Sequence, residues 1–194
     1  MKFVLIIAIA ILSISCTESV VTKAQSEYAG QERREIKSLS ADDIKQLENG
    51  QGWGLAKAAE LNGLPGPVHL IEMKDKIGLE GTKLKKIEKL YNEMKKNAVP
   101  LGKRLIELEK ELDRGFSKKT IDSESLKTQL SEIAKVRADL RFVHLSTHLK
   151  TPEILTKEQI SKYNELRGYG KGDPCKNVPE GHDPAMWKKH NNCG

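Results

Sequence analysis

The sequence is poor in aromatic residues and carries no block of like charge. Aromatic side chains make up 5% of the 194 residues, so the stacking surfaces that single-stranded nucleic acids require are lacking. The net charge is +6, but lysines alternate with glutamates through the centre of the chain, which is typical of solvated helix faces. We therefore expect no nucleic-acid partner.

Motifs of catalysis are also missing. The sequence contains no GxSxG, HExxH or CxxC pattern, and its carboxylates are spread over helical segments. No stretch alternates polar and apolar residues as a half-buried strand does. We predict an all-α protein that is not an enzyme, and we name no catalytic residue.

The one long apolar run lies at the N-terminus. Met1 and Lys2 precede an apolar stretch over residues 3–12, and small residues and Cys16 follow. This pattern predicts a signal peptide over residues 1–15, since the run is shorter than the roughly 20 residues of a membrane span. The Ser15-Cys16 step resembles a lipoprotein cleavage site, although Ser13 stands where a leucine is usual. We expect an exported protein, lipid-anchored at Cys16 and tethered by residues 16–30.

Three cysteines are an odd number for an exported chain. If Cys16 carries lipid, Cys175 and Cys193 remain as a pair that can close the tail, residues 170–194, with a disulfide. The alternative is two unpaired thiols.

Two long helical patterns make the body of the chain. Both have apolar residues at three- and four-residue steps, so each predicts a helix with one buried face. The first keeps its phase across Pro100, which predicts a kinked helix, and Arg137 interrupts the second. We expect the two helices to pair as an antiparallel hairpin. The first stripe comprises Leu84, Ile87, Leu90, Met94, Ala98, Leu101, Leu105, Leu108 and Leu112, and the second comprises Leu126, Leu130, Ile133, Leu140 and Val143.

Helix-start signals flank this body. Ser40 with Asp43 predicts a capped short helix, and residues 53–61 suggest about two helical turns. In LTKEQ, Thr156 and Gln159 form a capping box, and Leu155 can pack on Ile160 as a hydrophobic staple.

LTKEQ also contributes to a family resemblance. Together with YAGQERREIKSLS, GLAKAAELNGLPGPVHLIEM and HLSTHL, it resembles the Spy/CpxP group of periplasmic proteins, which are named for LTxxQ motifs. The resemblance implies a domain over residues 31–169 with four helices in a bent hairpin, and a homodimer with a concave face. The first motif copy is degraded, since only Leu79 of it survives within residues 77–87.

Histidines provide candidate metal ligands. His144 and His148 lie one helical turn apart, and His69 with Met73 repeats that spacing beside Glu72. If the helix carrying His69 reaches the hairpin, the three histidines with Glu72 or Met73 would suit Zn, Cu, Ni or Co. The simpler alternative is that these histidines only pack and form hydrogen bonds.

The tail offers a second candidate site. His182, Met186 and His190 recur at four-residue steps inside the expected disulfide loop, and such ligands suit copper. We prefer the alternative of a small stapled motif with Trp187 as its core.

Members of the resembled group differ in role, so the sequence leaves several functions open. Our first hypothesis is a periplasmic metal-responsive or metal-resistance accessory protein. The second is an ATP-independent chaperone for unfolded clients, or a regulator acting on a membrane signalling protein. The third is a lipid-tethered interaction module without a ligand. Charge for the chaperone would come from Lys85, Lys86, Lys89, Lys95, Lys96, Lys103 and Arg104.

Overall fold

The computed structural model describes residues 26–169, 175–176, 178, 183–191 and 193. The chain divides into two compact units, Met1–Glu32 and Arg33–Gly194. The described end of the first unit is a short turn, in which the Gly30 N–H donates to the Glu32 carboxylate over 2.6 Å. The expected signal peptide and Cys16 lie outside the described residues, as does most of the expected tether.

In the described part of the second unit the regular elements are all helices and no strand is present, so the all-α prediction is confirmed. Within the described ranges, no helix combines the length and the apolar character needed to cross a membrane. The helices are α1 (Ala41–Glu48), α2 (Lys57–Glu60), α3 (Pro67–Glu72), α4 (Gly81–Ser117), α5 (Ser123–Lys150), α6 (Lys157–Leu166) and α7 (Pro184–His190).

Helix α1 begins with the predicted cap and ends against α4. The Ser40 hydroxyl accepts from the Asp43 N–H, and the Asp43 carboxylate accepts from the Ser40 N–H, which completes a capping box. At the other end, Leu47 approaches Gly102 so closely that a Cβ there would stand 2.2 Å from the Leu47 carbonyl oxygen. Glycine is therefore needed at this crossing for space and not for its backbone angles.

Helix α4 runs through Pro100 as one element, as the unbroken apolar phase predicted. Its buried residues include Ile87, Leu90, Ala98 and Leu105, all on the predicted stripe. The helix continues to Ser117, and residues 118–122 make the connection to α5.

Helix α5 packs along α4, and its buried face includes Ile133 and Leu140 of the predicted stripe together with Val136, which was not predicted. Ile133, Val136 and Leu140 are buried, whereas the predicted Leu130 is 47% exposed. Apolar residues occur around the whole circumference of this helix, so periodicity alone did not separate buried Val136 from exposed Leu130. Phe142, which is 70% exposed, lies on the outer side.

Two groups of buried side chains form the core. The first joins α1, α4 and α5 through residues such as Leu47, Leu105 and Leu140. The second is built around Tyr163 of α6, with Leu70 and Ile87 beside it. Helix α2 is a single turn and not the two turns expected, because Trp53 and Gly54 before it have positive φ angles of 41° and 69°.

The predicted capping box of α6 is present, and its glutamine also makes a tertiary contact. The Thr156 hydroxyl accepts from the Gln159 N–H, while the Gln159 amide oxygen accepts from the Thr156 N–H. The Gln159 amide nitrogen donates to the Gly78 carbonyl over 2.9 Å, so the motif ties α6 to the turn before α4.

In the tail, a disulfide joins Cys175 and Cys193, whose Cα atoms are 5.5 Å apart. Asp183 caps α7 by accepting from the Met186 N–H.

Candidate functional site

A cavity of about 290 Å³ lies where the C-terminal half of α5 meets α3 and α4. We call it the histidine cavity. The three predicted histidines, His69, His144 and His148, all line this cavity. Among the described residues, however, no three His, Cys, Asp or Glu side chains already stand close enough together to hold an ion. The lining also includes Glu60, Glu72, Gly66 and Met94.

His148 is fixed by a hydrogen bond to the backbone. Its Nδ1 lies 2.8 Å from the Leu64 carbonyl oxygen, and because a carbonyl only accepts, the proton sits on Nδ1. Nε2 therefore carries the lone pair. Ligating histidines in metal sites commonly donate their other ring nitrogen to a carbonyl in this way. Burial lowers the pKa of His148, so the ring stays neutral near pH 7.

His144 has a buried ring nitrogen with nothing to bond. The residue is 2% exposed, and its Nε2 has no hydrogen-bond partner among the described residues. Burial, with a smaller contribution from neighbouring His148, lowers the pKa of His144 to about 4. Buried polar atoms without partners are rare in proteins, and each one calls for an explanation such as a bound ion or water.

His69 is the more accessible of the three histidines. Its Nδ1 lies 2.7 Å from the Glu72 carboxylate, and its Nε2 lies 3.9 Å from Glu60. The side chain is 31% exposed, so it is held by two carboxylates at the mouth of the cavity and is not enclosed by packing.

The wall opposite the α5 histidines is an irregular loop, residues 62–66, with the sequence NGLPG. Three consecutive carbonyls of this loop accept from side chains: Gly63 from Asn164, Leu64 from His148, and Pro65 from Thr151. A buried loop must satisfy its backbone in this manner, since it has no helix or sheet ladder. Gly66 lies so near His148 that a Cβ there would be 3.1 Å from Nε2.

A polar network surrounds Glu60, which lines both the histidine cavity and a second, adjoining cleft. One Glu60 oxygen accepts from Arg167 at 2.5 Å, Tyr169 at 2.9 Å and Tyr163 at 3.3 Å. Burial alone would raise the pKa of Glu60, but the Tyr169 hydrogen bond and the Arg167 charge outweigh it and leave the pKa below its ordinary value. Burial, together with the Glu60 carboxylate, holds the pKa of Tyr163 well above its usual range.

Sequence reasoning did not find this network. Glu60 stands in a short segment of mostly apolar residues, AKAAEL, where a carboxylate needs a partner once it is buried. A lone carboxylate among apolar residues was the available signal in the sequence. Its partners Arg167 and Tyr169 are more than a hundred residues away, so their contact with Glu60 depends on the fold.

Met73, Met186 and His190, the other candidate ligands that the structure describes, are not in the cavity lining. Met73 packs against the core group around Tyr163 and is not part of the cavity lining. The methionine that lines the cavity is Met94. In the tail, Met186 is 60% exposed on α7 and His190 ends that helix. His182 lies outside the described residues. Trp187, the expected core of the tail, is half-buried.

Comparison with known proteins leaves the family open. No protein-family model, curated protein or solved structure matches this chain. Membership of the Spy/CpxP group therefore remains a prediction from the sequence resemblance.

Proposed function

We propose that the protein is a periplasmic metal-responsive or metal-resistance accessory protein of the Spy/CpxP type that binds a divalent transition metal in the histidine cavity. The observation that carries the proposal is the buried, unpartnered Nε2 of His144 beside a cavity that His148 and His69 share. Neutral imidazoles are suitable ligands for Zn, Cu, Ni and Co.

The three histidines would have different parts in binding. His148 is already oriented by the Leu64 carbonyl, and His144 has a depressed pKa, so both offer lone pairs without first losing a proton. His69 would have to turn from Glu72 and Glu60 toward the ion. Its movement would weaken the contact with Glu60, which is bonded to Arg167 and Tyr169 beyond the end of α6. Metal binding would thereby alter the attachment of residues 167–169, the segment that directly follows α6.

Calorimetric titration of the metal-free protein with Zn, Cu, Ni and Co tests the proposal. We expect saturable heat for the wild type, its loss in His144→Leu, and its retention in His190→Ala, which removes an exposed histidine of the tail. The His144→Leu protein should still melt cooperatively, because the substitution removes a buried polar atom that lacks a partner. Equal heats for the wild type and His144→Leu would contradict the proposal.

Gly66→Ala gives a finer test of the same site. The backbone of Gly66 has φ −86°, which any residue adopts, so alanine is excluded only by the His148 ring. We expect weaker metal binding because the new methyl group crowds Nε2. Unchanged affinity would show that His148 Nε2 is not a ligand.

A chaperone role is the second candidate, and the outer face of α5 favours it. Ala138, Phe142, Leu145 and Leu149 follow one another at four- and three-residue steps, and Phe142 and Leu149 are 70% and 64% exposed. Such a stripe could hold unfolded chains loosely. Light scattering of a denatured client tests it: suppression by the wild type should be reduced in Phe142→Ser/Leu149→Ser, and absence of suppression at equimolar protein would exclude this role.

The bent antiparallel hairpin, the homodimer and the lipid anchor at Cys16 belong to the same proposal. Sedimentation measures the dimer directly. Membrane fractionation of Cys16→Ser against the wild type tests the anchor, since loss of a lipidated cysteine should release the protein.

A further inference from the structure

A second cleft of about 400 Å³, which we call the tryptophan cleft, adjoins the histidine cavity and shares Glu60 and His69 with it. Its wall is formed by Trp53, Ala56 and Leu61, and its polar groups include Lys57, Arg167 and Tyr169. Its volume is within the range of 300–1,000 Å³ that is typical of small-molecule sites. We propose that this cleft binds a small organic carboxylate with an apolar body.

The apolar wall depends on a strained residue. Trp53 has φ 41°, a left-handed conformation that a bulky side chain rarely adopts. Its indole N–H donates to Asp43 over 2.8 Å, and Arg137 lies over the ring at 4.9 Å from the centroid. Strain of this kind persists where several contacts enforce it, and it is common at ligand sites. Leu61 adds a large side chain that is 63% exposed beside the same opening.

The charge of the cleft favours an anion. One Glu60 oxygen accepts from Arg167, Tyr163 and Tyr169, so the charge of Glu60 is compensated by Arg167 within the network. Among the described residues, no carboxylate lies within ion-pair distance of Lys57. The stem of Lys57 passes over Gly54 of the cleft lining, where a Cβ would be 3.5 Å from the Lys57 Cε. One cation therefore remains unpaired beside an apolar wall.

The test uses Trp53 as its own reporter. In a Trp187→Phe background, Trp53 is the single tryptophan, and a chelator keeps the protein free of metal, so metal binding in the histidine cavity cannot change the outcome. The probes are 3-phenylpropionate, 3-phenylpropanol and 3-phenylpropylamine, which share one skeleton and differ in charge. We expect a saturable fluorescence change with the acid, binding at least about fivefold weaker for the alcohol, and none for the amine.

A pair of charge reversals localises the effect. Lys57→Glu should weaken binding of 3-phenylpropionate about tenfold or more, while Lys85→Glu makes the same change in net charge on exposed α4 and should leave it unchanged. Binding of the alcohol as tight as that of the acid, or equal affinities in the two variants, would overturn the proposal. Absence of any saturable change with the acid would overturn it as well.

Discussion

The two halves of α5 are buried by different means. Residues 133–140 pack through Ile133, Val136 and Leu140 against apolar side chains of α1 and α4. From His144 onward the buried residues of this helix and its C-cap are His144, Thr147, His148 and Thr151. His148 and Thr151 bond to the loop of residues 62–66, and His144 and His148 line the histidine cavity. The first half is stabilised by non-directional burial, whereas the second requires a particular partner for each polar atom. His144 Nε2 lacks such a partner among the described residues, which makes it the strongest candidate for a metal-ligating atom.

The largest difference between the halves should come from truncating an apolar residue. Leu140 is 2% exposed in the first core group, so Leu140→Ala should lower the free energy of unfolding by about 3 kcal/mol through lost burial and the cavity left behind. Urea denaturation measures the loss. Phe142→Ala, on the exposed side of the same helix, is the control and should change stability little. Similar losses for both would mean that the two faces of α5 are wrongly distinguished.

Acid should act on the polar half. The pKa of His144 is about 4 in the fold and 6.5 as its ordinary value, so the unfolded chain binds more protons in that interval. Stability should therefore be highest above pH 6.5 and fall as the pH approaches 4, by about 2 kcal/mol between pH 7 and 5. Thermal denaturation of metal-free protein measures this loss.

His144→Leu is the control for the acid effect, since leucine cannot be protonated. Its stability should decline less over the same pH range. If the decline equals that of the wild type, His144 titrates normally and is more hydrated than its burial indicates.

Removal of the Thr151 hydroxyl group tests how the loop of residues 62–66 is attached to the end of α5. Thr151 is fully buried, and its hydroxyl can donate to the Pro65 carbonyl at 2.8 Å or the His148 carbonyl at 3.0 Å. Thr151→Val keeps the shape but leaves a buried acceptor unpaired, so we expect a loss of about 1–2 kcal/mol. Thr147→Val is the matched control, because the Thr147 hydroxyl bonds only to the Val143 carbonyl of its own helix. Hydrogen exchange should show faster opening of residues 62–66 in the Thr151 variant alone.

The smallest effect should arise at the α6 cap, which lies outside both halves. Thr156→Ala removes the side-chain acceptor of the Gln159 N–H and should cost about 1 kcal/mol. Thr156→Ser keeps the hydroxyl and should restore most of that stability in chemical denaturation. Failure of serine to restore it would indicate that packing of the threonine methyl group matters more than the cap.

Local signals in the sequence were sufficient for the helix starts and for α4. Ser40 and Thr156 cap as predicted, because a capping box joins residues three apart and needs no tertiary contact. Helix α5 shows the limit of such reasoning. Its apolar residues surround the helix, and only packing against α4 made Val136 buried and Leu130 exposed. Helical spacing was enough to propose that His69 joins the two histidines of α5. It could not show that the methionine lining the cavity is Met94 and not Met73.

By itself, the amino-acid sequence determined the helical class, the caps and the uninterrupted apolar stripe of α4, since each depends on residues within one or two turns. Only the tertiary structure decided that α5 buries Val136 and exposes Leu130, and that residues 62–66 are satisfied by Asn164, His148 and Thr151. It also decided that Glu60 meets Arg167 and that His144 Nε2 has no hydrogen-bond partner among the described residues. These contacts join residues far apart in the chain, and a buried polar atom acquires its partner only when the chain has closed around it.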